Sequence, residues 1–374
     1  MGCKQSRGDT GGGGRSAYAA ADEGGSGASS SSGNGPLGRL ECPTDDYVSN
    51  ICGFGERHFA VGGVDGWLYQ YDWQKMCLVN KLKAHKKAVS RVLACPGGQS
   101  LFSSSTDGAV ALWRHDELMS GGDPAQTFQG HLMAVSALDL VDDWGDAGSG
   151  QALVTGSRDC SLRLWDLETG RTLQQNKILR NVVTALRRVP AGARAGASAV
   201  VQASEDLQLR VWDVRVGLTK GPSMAVGAGP NVLLCLDVAQ DGSWVACGSK
   251  GFSRENCEVK VFDLRSGLKE LYSMPCADQT LEALKCTGPD RCLTASKDGH
   301  LRALALPEAR LISEHSKGSS SAAAGYTALG VSTGSNGSGP VAMAAWAGPE
   351  GVGLELLAWP DASLESAPKM RATT

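Results

Sequence analysis

The first residues with a chemistry of their own are Gly2 and Cys3, in the opening Met-Gly-Cys-Lys-Gln-Ser. Removal of Met1 makes Gly2 N-terminal, and Ser6 completes an M-G-x-x-x-[ST] acceptor pattern for myristate. Cys3 stands beside it as a thioester site for palmitate. One myristoyl chain holds a protein to a bilayer only marginally, whereas two signals hold it stably. The pair predicts a dually acylated tail, helped a little by Lys4, Arg7 and Arg15 near anionic lipid.

The 12 cysteines and 6 histidines are the next candidates, for nucleophilic, acid–base or metal chemistry. Their spacing argues against all three. No G-x-x-x-x-G-K-[ST] or H-E-x-x-H run occurs, and no C-x-x-C pair. Cys286 and Cys292, with His300 beyond, are too far apart for an ordinary zinc pattern. Cys235, Cys247 and Cys257 read as small packing thiols. The expectation is a non-enzyme with no catalytic residue, no metal and no cofactor. Lys and Arg number 36 against 39 Asp and Glu, a formal charge of −3, which disfavours general nucleic-acid binding. No apolar run of about 18 residues predicts a membrane span. No secretory h-region follows the start, so the thiols are expected to be reduced and the anchored chain to face the cytoplasm.

The elements that must position any binding residues repeat along the chain. Short strand-like runs end in an aromatic, often before Asp: 67–72, 109–114, 161–166, 207–213 and 258–263. Tyr71, Trp113, Trp165, Trp212 and Phe262 are spaced by 42, 52, 47 and 50 residues. Each run follows an apolar stretch closing in a turn, and 291–306 keeps the turn without the aromatic. This pattern predicts antiparallel hairpins. Ala84-His85 and Gly130-His131 precede two of the copies. Residues 7–36, rich in Gly and Ser, read as a flexible linker, and 361–374 as a second disordered tail.

These repeats resemble the WD40 family, which implies an all-β, seven-bladed WD40 β-propeller with a disordered, acylated N-terminal tail. The tail covers 1–36, the propeller 37–360 and the C-terminal tail 361–374. Residues 324–360 supply three strands of the seventh blade, and 37–43 are expected to close the ring as its fourth. Closure removes an open sheet edge. By the same resemblance, His131, Thr155 or Ser157, Asp159 and Trp165 form a buried hydrogen-bond network. So do His85, Ser103 or Ser105, Asp107 and Trp113, with Asp206 and Trp212 as the partial set of blade four.

Blades four and five are similar more narrowly to the WD repeat-containing protein 31 family. The similarity lies in Arg180-Asn181-Val182-Val183-Thr184, Ala203-Ser204-Glu205-Asp206, Leu209-Arg210-Val211-Trp212-Asp213 and the insertion Gly251–Glu258. That resemblance implies a regulator of ciliary trafficking, acting in intraflagellar transport and on the BBSome with small-GTPase regulators. It implies location at the cilium or its base. Family geometry puts Asp46, Lys87, Arg158, Arg180, Asn181, Glu205 and Lys297 on the top face as partner-binding residues. Phe252 and Arg254 join them from the insertion. The reading is a monomeric propeller that acts as a scaffold for other proteins, tied to a membrane and without nucleic acid. The alternative is a substrate receptor of a cullin-4 ubiquitin ligase, suggested by the W-D-x-R run Trp212-Asp213-Val214-Arg215.

Overall fold

The structure, a computed structural model, describes residues 36–42, 44, 47–144, 150–190, 198–316, 324–332, 341–349 and 351–358. The acylation residues, Asp46, the C-terminal tail and the N-terminal tail up to residue 35 lie outside them, and Pro36 belongs to a strand rather than to the tail. The described residues form seven four-stranded antiparallel sheets. In six of them the strands follow chain order, here called a to d. The inner strands touch in a closed ring, the last (Gly325–Ser332) returning to the first (Val48–Phe54).

A repeated register sets this geometry. Every inner strand carries a bulge near its start, between Val48 and Asn50 in blade one and between Val89 and Arg91 in blade two. The same shift recurs at Val135/Ala137, Val183/Ala185, Leu233/Cys235, Leu281/Ala283 and Tyr326/Ala328. A bulge bends and twists the strand locally. In four blades a hydroxyl beside it reaches the next blade. Ser49 donates to Val89 O, Ser90 to Val135 O and Ser136 to Val183 O. Thr327 Oγ1 donates to Val48 O at 3.0 Å, joining blade seven to blade one.

The core lies between blades rather than at one centre. Seven apolar clusters each combine residues of two adjacent sheets, such as Val211 with Phe262, or Phe128 with Trp165. Sheets covered on both faces explain why Ala199–Ser204 and Trp244–Ser249 are buried at every position. Burial of whole aromatic side chains such as Trp113, Trp165 and Trp212 supplies much of the drive.

The outer strand of blade seven is Pro36–Leu40, paired antiparallel with Gly351–Ala358. Its bounds are thus 36–40, not 37–43, because the pairing stops at Leu40 opposite Leu354. Glu355, wholly buried, accepts a hydrogen bond from Tyr326 at 3.0 Å and faces Arg39 of that strand at 3.5 Å. A six-residue helix, His115–Ser120, interrupts the strands between c and d of blade two. No helix among the described residues is long and apolar enough to cross a membrane.

Candidate functional site

Antiparallel order fixes which loops share a face. The d–a and b–c loops lie at the end where the inner strands begin, called here the top. Polar networks hold these loops in place. In blade three, His131 Nε2 meets Thr155 Oγ1 at 2.7 Å, and Trp165 Nε1 donates to the same oxygen at 2.8 Å. Asp159 Oδ2 takes His131 Nδ1 at 3.0 Å and Leu132 N at 2.9 Å. Burial alone would raise the Asp159 carboxyl, but the bonds from His131 and Ser161 outweigh it and hold it well below the usual range. Blade two repeats the arrangement with Ser103 bridging His85 (2.8 Å) and Trp113 (2.9 Å). Burial lowers the His85 imidazole despite Asp107 at 3.6 Å. Thr155 and Ser103 are therefore the network hydroxyls. Ser157 and Ser105 instead accept from the N–H of the turn Asp and donate to the d–a loop.

Blade four builds the network from other residues. Trp212 Nε1 donates to Gln202 Oε1 at 2.7 Å, and Gln202 Nε2 donates to Asn181 Oδ1 at 2.8 Å. Arg210 donates to Asn181 Oδ1, to Ser204 and to Asp206. Asn181 is consequently 1% exposed and does not reach the top surface, a correction to its expected binding role. Its amide does the work that histidine does in blades two and three. The turn aspartate likewise meets a strand-c side chain in other blades without the histidine: Tyr69 donates to Asp65 at 2.6 Å, and Arg302 to Asp298 at 2.8 Å.

The remaining top-face residues surround the channel mouth. Backbone bonds from Thr106, Arg158, Glu205, Lys250 and Lys297 to the loop before strand a make these five positions equivalent. Arg158 pairs with Glu205 across the blade three–four boundary at 3.7 Å, both partly exposed. Lys297 pairs with Glu282 at 2.9 Å. Lys87 and Arg180 are exposed, and Arg180 holds a left-handed φ of 66°. Phe252 is 75% exposed at the tip of its loop. Beside it Arg254 clasps Asp278 through Nε (2.8 Å) and Nη2 (3.2 Å), which fixes the loop to the blade five–six connection.

Sequence reading missed several neighbours of this set. Leu132 (84% exposed), Met133 and Leu179 (81%) stand on the d–a loops before blades three and four. Tyr47, also exposed, precedes blade one. Lys250 was legible by position, since it follows Ser249 as Arg158 follows Ser157. The apolar signal was two large residues directly after His131, where blade two has Lys86-Lys87.

Below the mouth the inner strands line a cavity of about 60 Å³, room for about two waters. At one equivalent inner-strand position charges alternate around four successive blades, Asp139, Arg187, Asp237 and Lys285, and of these Arg187 and Lys285 line the cavity. Arg187 Nε meets Asp237 Oδ1 at 3.1 Å. Burial, then the neighbouring Arg187 charge, lowers both Arg91 and Lys285. Among the described residues no three His, Cys, Asp or Glu side chains gather as a metal-binding group. Burial pushes the Cys235 and Cys276 thiols up to about 12, the range of inert packing cysteines.

Comparison with known proteins agrees with this architecture. Residues 76–114 and 122–166 match the family described as "WD domain, G-beta repeat". Each match starts at the outer strand of one sheet and ends at strand c of the next, so the sequence repeat straddles two blades. The chain is 30% identical over 146 residues to protein groucho of Drosophila melanogaster, covering 38% of this chain and 18% of groucho. It is 37% identical over 128 residues to nuclear distribution protein PAC1 of Arthroderma otae (31% and 26%). It is 34% identical over 102 residues to eukaryotic translation initiation factor 3 subunit I of Bombyx mori (26% and 28%). The aligned region thus spans less than a third of each of these relatives. The matched stretches are similar to WD40 repeats, whose propellers generally bind other proteins as non-enzymatic scaffolds.

Proposed function

We propose that this WD40-repeat protein is a non-catalytic scaffold that binds partner proteins on its top face. One observation carries the reading: Leu132, Met133, Leu179 and Phe252 stand exposed on top-face loops that are themselves anchored by hydrogen bonds. They are interleaved with Lys87, Arg158, Arg180, Glu205, Arg254 and Lys297. Apolar anchors and Arg inside a polar rim are the composition of protein interfaces. Replacing Phe252 and Arg254 together by Ala, or Leu132 and Leu179 by Ser, should release a captured partner without lowering the melting temperature. Retained capture with a lowered melting temperature would make these residues packing elements only.

The finer reading adds an address. Myristate on Gly2 and palmitate on Cys3 would hold the propeller at the cytoplasmic face of a membrane, and a linker of about thirty residues would let it range roughly 30 Å. The residue pattern at 2–6 supports this. The similarity of blades four and five to the WD repeat-containing protein 31 family supports ciliary trafficking, with intraflagellar transport, the BBSome and small-GTPase regulators as partners. Gly2→Ala should move the chain to the soluble fraction and away from the cilium or its base; unchanged partitioning contradicts the anchor.

The cullin-4 alternative makes a separate demand. Arg215 is held on Asp213 through Nε (3.2 Å) and Nη2 (3.0 Å), so docking through it would have to break that pair. Arg215→Ala would abolish ligase-adaptor co-purification under that alternative and leave top-face capture intact under the scaffold reading.

A further inference from the structure

One position of strand c differs in kind between blades. Pairing registers align Tyr69, Ala111, Arg163, Arg210, Lys260, Arg302 and Glu355. Six are longer side chains, and in blades one, four and six they reach the turn aspartate. In blade three Arg163 lies over the Trp165 ring at 5.6 Å and against the Cα of Gly130. Blade two alone has alanine, opposite Thr127 on an outer strand of only three residues, Gln126–Phe128.

The missing side chain leaves a cleft of about 560 Å³, lined by Ala111, Thr127, Gln129, His85, Lys83 and Lys86, with the turn at Asp107. This is the size of a site that takes a side chain and its flanking backbone. Its positive charge comes from Lys83 and Lys86, the two lysines of the run 81–87 that line it. Lys81 and Lys83 are held at 5.6 Å over the Trp67 ring, and Lys83 Nζ donates to Asp65 O. The one carboxylate in the cleft is already engaged: Asp107 faces His85 and accepts from the N–H of Lys86 and Ala109. The Lys86 ammonium has no ion pair among the described residues. A preorganised basic cleft with its own acid committed is complementary to an anion.

We propose that this cleft receives an anionic side chain, glutamate or phosphoserine, from a partner polypeptide crossing blade two. The inference rests on the scaffold reading and names the chemistry of one contact, beside Leu132 and Met133.

The test is fluorescence anisotropy on the full chain with three labelled probes: an octaglutamate peptide, a Gly-Ser peptide carrying one phosphoserine, and an octaglutamine peptide. Wild type should bind at least one anionic probe saturably and the neutral probe at least tenfold more weakly. Ala111→Tyr, which copies the neutral Tyr69 of blade one, should weaken binding at least tenfold. Lys83→Gln with Lys86→Gln tests the site independently of any packing change; it should lose a similar factor and flatten the salt dependence. Binding of phosphoserine alone, or of glutamate alone, assigns the source. Equal binding by Ala111→Tyr, equal binding of octaglutamine, or no binding at all overturns the proposal. So does selective binding to phosphatidylserine vesicles, which would make the patch a membrane contact. Failed peptide binding with intact, Phe252-dependent partner capture discards the cleft and keeps the scaffold.

Discussion

The bond network of blade three makes the sharpest claims about single residues. Thr155→Val keeps the shape but strands His131 Nε2 and the Trp165 indole N–H in a buried site. Each unsatisfied group costs about 1–3 kcal/mol, so the variant should lose about 2–4 kcal/mol in urea unfolding. Thr155→Ser, which keeps the hydroxyl, should lose only about 1 kcal/mol for the buried methyl. Equal losses would mean the bonds contribute nothing. Acid should weaken the same network. Asp159 is depressed in the folded state, so its contribution is complete above the unfolded carboxyl value, about 4, and fades as pH falls below it. His85 is depressed too, so the unfolded chain takes up its proton first and stability also drops as pH falls below about 6.5. Unfolding measured against pH should show both steps, with His85→Gln reducing the upper one, to which the half-buried His58, also lowered, contributes the rest. The His, Asp and Trp of these networks were legible because the chemistry needs those types at fixed spacing. The hydroxyl was not, because residues two apart on a strand face the same side. Asn181 was hidden for another reason: it stands two residues before Val183, whereas His131 stands four before Val135, so its loop shows no equivalent spacing.

At the scale of elements, the closing strand is the joint on which the ring depends. Without Pro36–Leu40, the Gly351–Ala358 strand would present an open edge of unpaired backbone groups. Truncation through Leu40 should therefore give oligomers in light scattering where the full chain gives one species. Within the joint, Glu355→Ala should cost about 3 kcal/mol or more, since it strands the Tyr326 hydroxyl and removes a buried charge whose partners remain. Arg39→Ala should cost less than about 1 kcal/mol, because Arg39 is 65% exposed and solvent screens the pair. The reverse order would contradict this account of the joint. Six repeats were legible from the aromatic spacing and the turns, and the seventh blade only from the resemblance to WD40 propellers. The bulge repeated in each inner strand was not, because a bulge is a matter of register, and register appears only when two strands are paired.

For the whole molecule, the account separates a rigid ring from a functional face. The Phe252 loop stood out in the sequence because an insertion breaks a periodic repeat. Leu132 and Leu179 did not, since single apolar residues in loops are common and become a patch only when the ring brings their loops to one end. The central claim is that partners bind at that end. It is tested most directly by photo-crosslinking in cells, with benzoylphenylalanine placed singly at Leu132, Leu179 or Phe252, and at Leu173 or Leu271 as exposed positions on outer strands. The account predicts discrete protein adducts from 132, 179 and 252 and none from 173 or 271. Adducts confined to the outer strands would contradict it.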